Sequence, residues 1–353
     1  MTGYLILENG EIFEGERIGY NLDTAMELVI NDENIGYCES ITDPSYFGQG
    51  ILFTFPLIGN YGMILDDCES NNVWASAILI QEVAEFESNA KSKVNFDKFL
   101  RDYKVPGLAG LDVKKISNII KTEGTLKAFL TSSINNIDEI MKIIKDYNIE
   151  NSVQNVTSKQ KKIYGRGKEK RIAILDLGFK HGIVNAFLKR NVEVDTFPAY
   201  SYAEEILAVK PDGIVISNGP GNPNDLDKII KNIKKLLDSK IPILGIGLGH
   251  ELIAISYGFE IEKLKYGHRG NDYVVKDIRR NRLYVTSQNH EYVVSEKTVK
   301  KDIADILYKN ISDNTIAGLF YKTNNAFTVQ FEPEGCPGPL DTGFIFDNFI
   351  KKI

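Results

Sequence analysis

The chain has 353 residues, 43% of them hydrophobic and 25% charged, with a net charge of −6 and a pI near 5.5. That length predicts two domains of ordinary globular composition, and the acidic balance argues against a broad nucleic-acid-binding surface. Three scattered cysteines without a CxxC point to a reducing cytoplasm, four histidines without HxxxH or HxH spacing predict no metal site, and neither a leader pattern at the N-terminus nor a membrane-spanning apolar run is expected.

In chain order, residues 5–7 and 11–13 read as a hairpin closed by an Asn9-Gly10 turn. Residues 28–30 and 51–55 read as further strands, whereas 74–80 (WASAILI) fits either a strand or a buried helix. Residues 113–121 have helical spacing through Ile116, Ile119 and Ile120 and stop before Gly124. Phe13, Trp74 and Phe86 are core candidates. Residues 1–150 are thus expected to form a mixed α+β domain. Residues 151–170 are expected to be a linker, because the run KQKKIYGRGKEKR at 159–171 is basic, carries two glycines and has few apolar residues.

From residue 171 the pattern changes to alternating strand and helix. Residues 172–176 are an apolar strand ending in Asp176, a group suited to capping the next turn. A helix at 183–188 and strands at 192–197 and 213–217 follow. Leu226, Ile229, Ile230, Ile233, Leu236 and Leu237 line one face of an amphipathic helix. Residues 242–246 read as a strand, 252–257 as a helix and 327–331 as a late strand. The expectation for 171–353 is an α/β domain with a largely parallel sheet covered by helices.

The segment 242–250, PILGIGLGH, runs from strand through a glycine-rich turn into helix. Such an elbow presents a nucleophile from a strained backbone at a helix N-terminus, where a thiolate is stabilised. It resembles the G-x-C-x-G-H/Q turn of class I glutamine amidotransferases, with Gly247 at the cysteine position. Residues 217–221 (SNGPG) resemble the family's oxyanion-hole turn, and Glu332-Pro333-Glu334 its H-P-E triplet. Within that superfamily the N-terminal half resembles the small chain of carbamoyl phosphate synthetase. Residues 42–46 (TDPSY), 56–62 (PLIGNYG), 108–112 (LAGLD), 266–270 (YGHRG) and 288–290 (QNH) carry the likeness, although Val113-Lys114 replace the family's Thr-Arg.

The resemblance implies a Cys-His-Glu triad that hydrolyses glutamine through a thioester. Here Gly247 stands at the nucleophile position and Glu332 at the base position, while Glu334 keeps the orienting carboxylate. The glutamine pocket would comprise Ser45, Gly219, Gly221, Leu248, Glu251, Asn289, Glu291 and Tyr292. Glu251, Glu291 and Tyr292 replace the family's Gln, Gly and Phe. Losing the nucleophile alone costs about 10⁶-fold in turnover, so the glutaminase is expected to be dead, and Cys336 is expected to be a structural thiol. Glycine tolerates the positive φ of an elbow and would relieve its strain. The three introduced carboxylates would make the pocket acidic and suited to ammonium, an amine or a divalent cation, unless they point to water. His250 and His268 read as structural hydrogen-bonders. The family's large chain would be the partner, in a heterodimer or higher assembly, with ATP and magnesium bound there and no cofactor on this chain. Ammonia would then be the nitrogen donor. The competing reading is a free-standing pseudo-amidotransferase that binds a new ligand.

Overall fold

In the computed structural model, which describes residues 1–353, the Asn9-Gly10 turn joins β1 (Thr2–Leu7) to β2 (Ile12–Gly19), and Gly10 takes the φ of 90° that such a turn favours. β3 (Thr24–Asn31), β4 (Gln49–Phe53), β5 (Ala77–Leu79), β6 (Pro106–Ala109) and β7 (Leu126–Thr131) complete a closed barrel in the order β1-β2-β6-β5-β4-β3-β7. Closure leaves no sheet edge exposed. The ambiguous run at 74–80 is therefore a short strand, buried because it lies inside the barrel wall. Helix α1 (Val113–Glu123) packs Ile116 and Ile120 into the core and stops at Gly124, whose φ is 108°. Phe13 is buried and Trp74 half-buried, but Phe86 is 77% exposed. Its polar, irregular surroundings give it no face to pack against, so it is not a core residue.

The chain divides into Met1–Glu150 and Asn151–Ile353. The expected linker belongs to the second unit: Ser152–Val156 are helical, and β8 (Lys162–Tyr164) pairs with β10 (Val192–Pro198). Two basic residues of this run meet carboxylates on β10: Lys161 lies 2.7 Å from Asp195, and Arg171 lies 2.8 Å from Glu193. A run that reads as solvated tether is instead pinned to a neighbouring strand.

β9 (Lys170–Asp176), β10, β11 (Gly213–Ile216), β12 (Ile243–Ile246) and β17 (Ala326–Val329) form the parallel centre of a ten-stranded sheet. The antiparallel β16 (Ile316–Tyr321), β15 (Ala304–Asn310), β13 (Ile261–Asp277) and β14 (Arg282–Val294) extend one side, and β8 caps the other. Successive β9 residues point to opposite faces. Ala173 and Leu175 pack with α3 (Asp227–Asp238) and α4 (Leu248–Ser256), and Ile172 and Ile174 with α2 (His181–Leu188) and α5 (Phe344–Ile350). This is the α/β architecture that the alternation implies. α4 begins four residues earlier than its apolar spacing suggests, because Gly249 reads as turn. It is glycine for packing: a Cβ there would lie 2.1 Å from the Ile216 carbonyl oxygen. No helix is long and apolar enough to cross a membrane.

Candidate functional site

β12 delivers the chain to Gly247, whose φ of 55° and ψ of −114° are those of a strained elbow. The Gly247 N–H donates to the Val329 carbonyl at 2.9 Å, and the Gly247 carbonyl accepts from His250 and Glu251 N–H at 2.9 and 3.2 Å. The turn is further fixed by Gly249 N–H on the Ser217 carbonyl at 3.0 Å. A Cβ on Gly247 would meet Asn218 Cβ at 3.3 Å, so a side chain there needs Asn218 to yield by a few tenths of an ångström as well as a positive φ. Beside the elbow, Ser217 Oγ accepts from Leu177 N–H at 3.0 Å and donates to the Asn218 carbonyl at 2.8 Å. Gly219 lies so close to the Leu177 carbonyl that a Cβ would be 2.1 Å from its oxygen, and at Gly221 (φ 95°) a Cβ would be 2.0 Å from Ser152 Oγ. The N–H of Leu248, at the first helical position, has no carbonyl to reach within its own helix. The two glycine-rich turns are thus fixed beside each other, and Gly247, at the tip of the elbow, has no side chain.

The segment 332–334 is organised around a residue that sequence reasoning missed. Lys180 is 1% exposed, and its Nζ lies 2.6 Å from Glu332 Oε2 and 3.2 Å from Glu334 Oε1. The first contact is a hydrogen bond. The second is an electrostatic contact, since neither Glu334 oxygen receives a hydrogen bond. Lys180 arrives here from the turn after β9. Asp176 Oδ1 accepts from Gly178 and Phe179 N–H at 2.9 and 3.2 Å, and Oδ2 from Ser158 N–H at 2.7 Å. Asp176 has the capping role that its place at the strand end suggests. Glu332 N–H donates to the Ser287 carbonyl at 2.9 Å, which ties the segment after β17 to β14. A carboxylate bonded to a buried ammonium is a poor acceptor for a thiol proton.

Asn289, Glu291 and Tyr292 lie on β14. Glu291 is held by Arg269 and Lys263 of β13, each at 3.3 Å, and the Lys263 ammonium sits 5.7 Å from the Tyr292 ring centre. Glu251, on the first turn of α4, is buried and accepts from Gln330 Nε2 at 2.9 Å. Burial pushes its pKa up to about 8, with a further push from the Glu291 charge and an opposing pull from Gln330. At neutral pH Glu251 is therefore a carboxylic acid, which matches the shape and neutrality of the glutamine it replaces. The folded protein holds a proton that the unfolded chain has released above its ordinary value of 4.5. Stability should therefore fall as pH rises between about 4.5 and about 8, with a slope of up to about 1.4 kcal/mol per pH unit. Glu251→Gln should abolish this dependence. Thermal melts at the two ends of that window should show the variant unchanged in acid and more stable than the parent in base; equal melts at the alkaline end would refute it.

The pocket is not acidic. Lys180, Arg269 and Lys263 face Glu332, Glu334 and Glu291, and Glu251 is uncharged. Nor do the introduced carboxylates point to water: Glu251 and Glu332 are buried, and the Glu291 side chain is 12% exposed. The structure assembles Gly219, Gly221, Gly247, Leu248, Glu251, Asn289, Glu291, Tyr292, Glu332 and Glu334 on one α/β unit. Ser45 belongs to the first unit, in a turn where its N–H donates to Asp43 Oδ1 at 2.8 Å. Cys336 Sγ contacts the Glu334 carbonyl at 3.6 Å. His250 and His268 are buried hydrogen-bonders, His250 on Thr328 Oγ1 at 2.7 Å, and burial pulls the His250 imidazole down to about 3.

Residues 5–130 match the family model described as carbamoyl-phosphate synthase small chain, CPSase domain, and residues 173–352 match glutamine amidotransferase class-I. The chain is 41% identical over 353 residues to the carbamoyl phosphate synthase pyrimidine-specific small chain of Bacillus subtilis, covering 100% of this chain and 96% of that one. It is 40% identical over 352 residues to the carbamoyl phosphate synthase small chain of Clostridium perfringens, covering 99% of each. The small chain of Listeria monocytogenes serotype 4b is 39% identical over 349 residues, covering 99% of this chain and 96% of that one.

Proposed function

We propose, for a chain that belongs to the carbamoyl-phosphate synthase small-chain family, that it serves as the small subunit of such a synthase without hydrolysing glutamine. One observation carries this reading. The elbow keeps its strained backbone around a residue with no side chain, while the base position is locked in a buried ion pair with Lys180. The turn's shape survives and both reacting groups are gone. A large chain supplies the ligase chemistry in this reading, holding ATP and magnesium and drawing on free ammonia in place of glutamine-derived ammonia. The contribution of this chain is association with that partner.

The test is carbamoyl phosphate formation by this chain reconstituted with the large chain of its own organism. Ammonium should support turnover, and glutamine should give none above the ammonia background. Glutamine-driven turnover would overturn the loss of hydrolysis. Failure to form any complex would favour a free-standing binding protein.

A further inference from the structure

Two sequence motifs, YGHRG on β13 and QNH on β14, lend Arg269 and Asn289 to the site described above and leave His268, Gln288 and His290 without a task there. They meet in the sheet: His268 is paired in register with His290, and their rings stand edge to face at 5.0 Å. His268 Nε2 lies 2.9 Å from Asp313 Oδ2, and His290 Nδ1 lies 2.9 Å from the Tyr292 carbonyl. Both of those partners are acceptors, so both nitrogens carry hydrogens whenever the rings are neutral. The remaining nitrogens, His268 Nδ1 and His290 Nε2, approach the same end of the Gln288 amide at 3.2 and 3.0 Å. The other end of that amide lies 3.0 Å from Thr286 Oγ1.

The heavy-atom positions fit two proton patterns. With both rings neutral, the His290 Nε2 lone pair needs the NH₂ group of Gln288, His268 Nδ1 can accept from that group or from Asn310 Nδ2, and the Gln288 oxygen then takes the Thr286 hydroxyl hydrogen that otherwise goes to the Tyr273 carbonyl. With His268 protonated, its Nδ1–H needs an acceptor, and the amide must present its oxygen. That same oxygen then faces His290 Nε2, which must carry a hydrogen too. His290 is buried, and burial together with the charge of His268 holds its pKa well below the ordinary range, so it stays neutral and changes tautomer. The hydrogen on Nδ1 is lost, and with it the bond to the Tyr292 carbonyl.

We propose that His268, Gln288 and His290 form a proton-operated hydrogen-bond switch, in which one proton taken up at His268 turns the Gln288 amide, shifts the His290 tautomer and releases the Tyr292 carbonyl on the site strand. The proton has a route, because the Asp313 side chain is 34% exposed. The charge has a counterion: against the effect of its burial, hydrogen bonds from His268 and Thr315 hold the Asp313 carboxyl down at about 2. The other groups facing the pair are the Asn310 amide from β15 at 3.4 Å from His268 Nδ1, the Tyr273 ring from β13 at 4.9 Å, the charge of Arg269 and the imidazole of His250 from α4. The switch stands whether or not the synthase reading holds, since it uses none of the residues on which that reading rests.

The experiment is a titration of the full chain, labelled with ¹⁵N in histidine and glutamine side chains, from about pH 5 to about pH 9 by NMR, across the range where imidazoles exchange protons. The expected result is one midpoint shared by three signals: the His268 ring nitrogens, the Gln288 NH₂ group and a swap of the protonated nitrogen of His290. Asp313→Asn should move that midpoint to lower pH. Gln288→Leu should leave His268 titrating while His290 no longer responds. The proposal is overturned if Gln288 and His290 hold still while His268 titrates, or if His268 does not titrate in this range. The parent chain alone decides it should either variant fail to fold.

Discussion

Lys180→Met is expected to destabilise the protein by about 3–5 kcal/mol, the cost of removing one partner from a buried ion pair. The substitution preserves length and apolar volume, so packing is nearly conserved and the effect is electrostatic. It leaves Glu332 and Glu334 as like charges, both buried and without their shared counterion. Each must then ionise without the Lys180 ammonium or take up a proton at neutral pH. The loss should therefore shrink in acid, where protonation comes without penalty. The midpoint of urea unfolding measures the effect directly, since the slope should not change. The triple variant Lys180→Met, Glu332→Gln, Glu334→Gln should recover most of the stability, because well-fitted neutral groups replace a buried ionic cluster with little loss. A single-variant loss below about 1 kcal/mol, the size of an exposed ion pair, would mean that the cluster is solvated.

The second large effect is a gain of activity. Gly247→Cys should fold, at a cost of about 1–3 kcal/mol for a non-glycine residue in this strained conformation, because a shift of Asn218 by a few tenths of an ångström admits its Cβ. The new thiol should be alkylated by iodoacetamide, as mass spectrometry would show, yet glutamine hydrolysis should stay at background. Glu332 is occupied by Lys180 and cannot accept the thiol proton. Adding Glu332→His supplies a base, and Glu334 remains to balance Lys180. The double variant should hydrolyse glutamine at least about 10²-fold faster than either single one, the usual contribution of a positioned general base. Brisk hydrolysis by Gly247→Cys alone would show that Glu332 can act as base after all. No gain in the double variant, despite a reactive thiol, would place the remaining defect in glutamine binding at Glu251 and Glu291.

Much of the second unit was legible because its strands and helices differ in apolar period. The helix face of Ile229, Ile230, Ile233, Leu236 and Leu237 is buried as its spacing requires. The parallel strands are continuous apolar runs because both faces are covered. The β13–β14 hairpin was not legible. β13 mixes exposed and buried residues without alternation and is bulged between Lys263 and His268 and again between Gly270 and Tyr273. The turn at Gly247 and the triplet at 332–334 could be picked out from the sequence. The state of the site could not, since it depends on Lys180, which lies 152 positions before Glu332. A lysine in sequence reads as surface, and only the fold shows where its ammonium ends. The acidic reading of the pocket failed for the same reason: carboxylates are easy to count along a chain, and their counterions lie on other strands.

Gly249 has a further consequence. It is required by the contact of α4 with the end of β11, where no larger residue fits, and that contact belongs to the core. Drift at this position is therefore opposed by folding itself, with no help from selection on turnover. The turn after β12 is thus held in shape by the core: the strained backbone at Gly247 persists for as long as the domain folds, whatever chemistry the chain does or does not carry out there.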